Sequence, residues 1–267
     1  MPRRSILSTA ERAVLLAVPE AGDELIRLYT FSEADLSLIG QHRGDVNRLG
    51  LAVQLALLRF PGQGLAADAE APAPLLRWLG RQLRIDPACW PRYAQREATR
   101  REHLLELRAY LGLKPFGLAS YRQARQAATE VALQTDNGVV LAGGILEMLR
   151  LLHTIVPGID VIERICAEAI TRANRRMHAA LTDPPSAEHR QRLDELLKRR
   201  DGSKATRLAW LRQSAVKPNS RHMREHIERL KAWQTLDLPA GIDRAVHQNR
   251  LLKIAREGGQ MTPADLG

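Results

Sequence analysis

The sequence predicts an all-α fold, and three observations lead there. Almost no segment alternates apolar and polar residues with a period of two, as half-buried strands do. Apolar residues return instead at helical spacing, as in Leu49, Val53, Ala56, Leu57 and Phe60, or Leu75, Leu76, Leu79 and Leu83. Helix-start signals also recur ahead of apolar runs: Ser8 with Glu11, Ser32 with Asp35, and Asp160 with Glu163.

Ser8 opens a helix that ends near Pro19, and Leu25, Ile26, Leu28 and Tyr29 form a short second element. Ser32 starts a third helix carrying Leu36 and Ile39. The turn Gln41-His42-Arg43-Gly44 follows, and Asp45 caps a long helix, so this hairpin is a first helix-turn-helix candidate. Pro61 to Pro74 is rich in Pro, Gly and Ala and reads as a surface loop. Leu75 to Leu83 is helical, and a long charged helix is expected from about Pro91 to Leu111, closed by Gly112. Ser120 opens a helix to about Thr135. Asp136-Asn137-Gly138 is a strong stop, so the reading places 1–136 in one helical module and 137–267 in a second, with that turn as a candidate nick site. The apolar run Val139 to Val156, interrupted by Glu147, Arg150 and His153, is a buried helix or a dimer contact rather than a membrane span. Asp160 caps a helix to Leu181, Ser186 starts one toward Arg200, and Pro239 begins a last helix stopped by Gly258-Gly259.

Charge separates the halves. The 267 residues hold 40 Lys and Arg against 30 Asp and Glu, net +10. Residues 1–171 carry 20 basic and 19 acidic side chains; residues 172–256 carry 20 and 9, net +11. A basic surface confined to the second half points to nucleic acid or an anionic membrane. Four Trp, four Tyr and three Phe are too few for a platform that reads single strands by stacking. Duplex recognition through Arg and Lys fits better. Cys89 and Cys166 are isolated thiols without metal-type spacing, which suits core filling and a reducing cytoplasm. The first residues lack the apolar run of a signal peptide.

The densest basic stretch is Lys198 to Trp233. Ser203 is placed to cap one helix and Ser220 the next, which shows an apolar stripe of Met223, Ile227, Leu230 and Trp233. The second helix opens with Arg221, His222 and Arg224, and Lys204 and Arg207 repeat the pattern in the first. Cations oppose the dipole at a helix N-terminus, so an external anion is implied. Two helices and a short turn with a basic second N-terminus is the helix-turn-helix layout. A solvated basic face on an ordinary hairpin is the plainer account.

Other motifs compete with it. His222-Met223-Arg224-Glu225-His226 fits the His-x-x-Glu-His pattern of inverted zinc peptidases, which makes a small metal-dependent hydrolase one rival; it lacks an evident third ligand. A helical scaffold binding protein partners through Val139 to Val156 is another. Gly143-Gly144 reads as close helix packing, not a phosphate loop. His42, His103 and His153 read as capping or interface residues. Arg96, Arg100 and Arg101 share a helix with Glu97, Glu102 and Glu106, so i to i+4 pairing competes there with phosphate contact.

Five stretches in order resemble one family. They are Ile39-Gly40 through Arg43-Gly44-Asp45 and Asn47-Arg48-Leu49-Gly50; Gln54-Leu55 with Leu58-Arg59-Phe60-Pro61-Gly62; Tyr93 to Glu97 with Thr99 to His103; Ile170 to Arg176; and Lys217 to Met223. Together they resemble the N-terminal region of the TnpA transposases of the Tn-three family of replicative transposons, most closely its mercury-resistance branch, over the whole chain. The resemblance implies a helical region that binds the terminal inverted repeats of the element. It also implies that the Asp-Asp-Glu centre with its divalent metals lies downstream, so no cofactor and no catalytic residue is expected in this chain. Thr262-Pro263 starts a helix with four residues left, which fits an interrupted protein.

The resulting expectation is two DNA-binding modules. Arg43, Asn47, Arg48, Arg96, Arg100 and Arg101 serve the first. Arg172, Arg175, Arg176, Arg199, Arg200, Lys204, Arg207, Lys217, Asn219, Arg221, His222 and Arg224 serve the second. Asn47, Asn219, Arg221 and His222 are the candidates for base edges. The expected partner is double-stranded DNA, a homodimer stays open, and no membrane is involved.

Overall fold

A computed structural model of the chain describes residues 6–65, 70–94, 97–200, 202, 204–213 and 219–260. Fourteen α-helices and no strands appear among the described residues, so the fold is all-α. The helices are α1 (Thr9–Leu15), α2 (Gly22–Tyr29), α3 (Glu33–Gly40), α4 (Asp45–Arg59), α5 (Ala73–Leu83), α6 (Trp90–Ala94) and α7 (Glu97–Tyr110). Then come α8 (Leu118–Ala132), α9 (Gly138–Leu151), α10 (Ile159–Thr182), α11 (Ala187–Glu195), α12 (Arg207–Leu211), α13 (Ser220–Gln234) and α14 (Gln248–Gln260). One compact unit takes Met1–Ala128 and Asn137–Ala169, the other Thr129–Asp136 and Ile170–Gly267, so the division falls within α8 and within α10.

The first unit is built around α4. Every residue from Leu49 to Leu58 is buried, because α2, α3, α5, α6 and α7 all pack on this helix. Its surroundings include Tyr29, Ile39, Leu75, Leu79, Tyr93 and Leu107. Capping boxes form at Ser8–Glu11 and Ser32–Asp35. The long helix begins one residue earlier than predicted: Gly44, at φ 80°, is the cap, and Asp45 is the first helical residue. A left-handed backbone there suits glycine. The close helix approach is at Gly50, where an added Cβ would meet the Tyr93 ring at 2.1 Å. Gly143 and Gly144, read as packing glycines, meet nothing within 4 Å.

Asp160 and Glu163 do not cap α10. Glu163 lies within the helix and accepts from the backbone N–H of Ile6 at 3.0 Å and of Leu7 at 3.2 Å, and it pairs with Arg12. It therefore ties down the N-terminal segment from far along the chain. Asn137 both ends the preceding segment and caps α9, accepting from Val139 and Val140.

The second unit contains α11 to α14 and the C-terminal part of α10. Here Ser186 caps α11 in a box closed by His189. Beyond α11 the chain folds back: Leu208 N–H donates to Leu196 O at 2.8 Å and Arg207 N–H to Lys198 O at 3.0 Å. The cap of α12 is Thr206, whose hydroxyl accepts from Ala209 N–H; Ser203 lies outside the described residues. That of α13 is Asn219, not Ser220. Pro239 is followed by a 3-10 turn at Ile242–Ala245, and α14 continues through Gly258 and Gly259 rather than stopping there. Asp136 accepts from Lys253 and pairs with Arg250 at 2.9 Å, and Arg176 pairs with Glu130 at 2.9 Å.

Candidate nucleic-acid interface

The described cations fall into two populations, one holding the fold and one free. Arg48 belongs to the first: Nε donates to His42 O at 2.8 Å and a terminal nitrogen to Gly40 O at 3.4 Å, which clasps the turn between α3 and α4. Asn47 closes the same turn, donating to Arg43 O at 3.1 Å. Arg59 is held by the buried Asp35, Arg229 by Gln213 O at 2.7 Å, and Arg250 by Asp136 and Asn174.

Arg43, Arg101, Arg172, Arg175, Arg199 and Arg224 are exposed, and none has a side-chain ion pair among the described residues. On α10, Arg172, Arg175 and Arg176 share one face at i, i+3 and i+4, and Arg176 alone of the three is paired. In the first unit Arg43 lines a cleft of about 260 Å³ with Asn47, Arg92 and Tyr93. Arg92 was not singled out from the sequence, although it sits beside the Tyr93 to Glu97 motif and directly follows Pro91.

On α7, Arg100 and Arg101 carry no ion pair to Glu102 or Glu106 among the described residues; Glu106 instead meets His42 Nε2 at 3.1 Å. His42 packs edge-on against His103, which is buried, stacks on Tyr93 and shares a 3.2 Å hydrogen bond with its hydroxyl. Burial, with the His42 neighbour, pushes His103 down to about 4; Glu106 opposes this. This polar cluster fixes α7 beside the turn that bears Arg43.

In the second unit Arg200 stacks over Trp210, 4.4 Å from the ring centroid, and lies 4.0 Å from Glu228. Arg207 is exposed at the first position of a five-residue helix, and Lys204 lies before its cap. Neither α12 nor α13 has an acidic residue in its first turn. Asn219 accepts from His222 N–H at 2.8 Å, so its side-chain oxygen is engaged as a cap. Arg96 and Lys217 lie outside the described residues, as does the side chain of Arg221. The α13 stripe faces outward: Met223 is 54%, Ile227 45%, Leu230 64% and Trp233 47% exposed. The helix packs on α12 through its other side, where Arg229 is 7% exposed.

Among the described residues no three of His, Cys, Asp and Glu are grouped to hold a metal. No described helix is long and apolar enough to cross a membrane. Cys89 and Cys166 are free and buried, and burial pushes the Cys166 thiol up to about 12.

Fold and charge together define an all-α protein with unpaired arginines on exposed surfaces of both units. The chain belongs to the family described as a domain of unknown function, DUF4158, whose model matches residues 6–169. It is 66% identical over its full length to the transposase for transposon Tn3926 of Escherichia coli, 59% to that for Tn501 of Pseudomonas aeruginosa and 61% to that for Tn21 of Escherichia coli. These are Tn3-family transposases, matched in their N-terminal portion. The chain spans 27% of the length of each.

Proposed function

We propose that this chain recognises the terminal inverted repeats of a DNA transposon, as the end-binding part of a transposase. The observation that carries the reading is the sorting of its cations. Arginines that the fold needs are buried or paired, while Arg172 and Arg175 stand exposed and unpaired on one face of α10. A folded protein gains nothing from unpaired neighbouring cations, which repel one another; a polyanion arriving from outside turns them to use. The net +11 of residues 172–256 and the names of the relatives support the same partner.

In this reading Arg43, Arg92 and Arg101 contact phosphates from the first unit, and Arg172, Arg175, Arg199 and Arg224 from the second. The body of α4 is enclosed on all sides, so the α3–α4 hairpin reaches DNA only through its turn. The experiment is a gel-shift competition on a labelled terminal repeat. Unlabelled repeat should displace the chain at far lower concentration than a scrambled duplex of equal length and composition. Equal displacement by both would reduce the reading to non-specific binding, and no shift would overturn it.

A further inference from the structure

Binding along the outside of a duplex leaves one feature of the second unit unused. A cavity of about 710 Å³ opens among α11, α12 and α13. Leu196, Leu211 and Leu236 give it apolar lining, Trp210 lies among them, and three arginines also line it: Arg200, Arg207 and Arg192, the last paired with Glu188 at 2.6 Å. Glu195 is the carboxylate among the lining residues, hydrogen-bonded by Lys198. Trp210 is covered on one side by the Arg200 guanidinium at 4.4 Å.

The mixture constrains the ligand. A phosphate group on its own has no use for an apolar floor or an indole. An apolar side chain has no use for three arginines. A nucleotide uses both, since its base is a flat apolar body that stacks on aromatic rings and guanidinium planes, and its phosphate pairs with arginine. The volume falls in the range of about 300–1,000 Å³ usual for small-molecule sites. The acceptor-only carboxylate of Glu195 suits a base with an exocyclic amine.

We propose that this cavity binds one nucleotide whose base lies outside any stack, with the base against Trp210 and the phosphate at Arg207. Two sources share that chemistry: a free mononucleotide, and a nucleotide unstacked from bound duplex. The exposed arginines of α10 are not part of the cavity, so the proposal stands independently of end binding.

The test uses the full chain titrated with dAMP by calorimetry, with adenosine and inorganic phosphate as parallel probes. The expected result is that dAMP binds at least about tenfold tighter than either part, and that Trp210→Ala weakens it by about tenfold or more, the size of one base–aromatic stack. Arg207→Ala, at an exposed side chain, should also weaken dAMP while leaving far-UV circular dichroism unchanged; this keeps the test valid if Trp210→Ala fails to fold. Duplexes carrying 2-aminopurine at successive positions separate the sources. A fluorescence rise on binding that excess dAMP reverses assigns the duplex; dAMP binding without a rise assigns the free nucleotide. If dAMP binds no tighter than phosphate, or neither dAMP binding at millimolar concentration nor a fluorescence rise is seen, the proposal is wrong. Retained dAMP binding without duplex binding would sink end recognition and leave this inference standing.

Discussion

Asp35 is fully buried and ionised because its partners converge on it. Arg59 donates twice, at 2.8 and 2.6 Å, and the Ser32 and Tyr110 hydroxyls donate at 2.8 Å each. Burial by itself would raise this carboxyl; the Arg59 guanidinium, then Ser32 and Tyr110, hold it far below the usual carboxylate range. A depressed folded value means stability present above the unfolded value and lost as pH falls through the folded one. Arg59→Ala leaves the buried carboxylate without its counter-charge and should cost roughly 3 kcal/mol in urea unfolding at neutral pH. A loss within about 0.5 kcal/mol, ordinary for a surface change, would show that the pair is not structural. His103 acts at milder pH. Its folded value of about 4 lies below the ordinary 6.5, so the unfolded chain binds the proton first and stability drains as pH falls from about 6.5 toward 4. Tyr93, His42 and Glu106 are the groups that face it. His103→Gln should flatten the melting temperature across that window. Parallel profiles for both proteins would assign the acid lability elsewhere.

At the scale of elements, α4 depends on Gly50. The Tyr93 ring occupies the space of a side chain there, and buried Tyr93 has no room to give. Gly50→Ala should therefore destabilise by about 1–3 kcal/mol, the usual cost of overpacking, although alanine is the better helix former. Thermal unfolding decides it, and an unchanged or raised midpoint would contradict the packing described. On α10 the expectation is opposite. Arg172→Glu with Arg175→Glu touches no described ion pair, so the midpoint should barely move while duplex affinity falls at least about tenfold, from lost phosphate contacts and added repulsion. Stability loss with unchanged affinity would make that face structural. These elements also show what the sequence made legible. The boxes at Ser8 and Ser32 join residues three positions apart and were readable because every participant is local. Asn219 and Ser220 are both good caps in adjacent positions, and the extended backbone at Asn219, φ −144° and ψ 167°, selects it. The same pattern at Asp160 misled, since Glu163 is claimed by Ile6 and Leu7, more than 150 residues away. Periodicity found the α13 stripe but carries no information on which face packs, and Arg229 took the inner side. Arg48 and Asn47 looked like nucleic-acid contacts by residue type, while the turn's carbonyls engage them. Arg92 stands beside the Tyr93 motif, but its grouping with Arg43 and Asn47 is made only by folding.

For the whole molecule, the uneven charge is the feature most plainly written in the sequence: near neutrality through residue 171 and net +11 from 172 to 256. The fold adds that these cations are not spent alike, because structural pairs absorb Arg176, Arg192, Arg229, Arg250 and Lys253. If about five to eight phosphates are neutralised by the remainder, log affinity for duplex DNA should fall against log salt with a slope of roughly −4 to −7. A flat response, measured by fluorescence anisotropy across salt, would remove electrostatics from the account. The most direct measurement is nuclease footprinting of the chain on a DNA fragment that carries a terminal inverted repeat within unrelated flanking sequence. The account predicts a discrete protected tract confined to the repeat, lost in the Arg172→Glu, Arg175→Glu chain. Uniform partial protection of repeat and flank, or no protection while the chain remains folded, would contradict it.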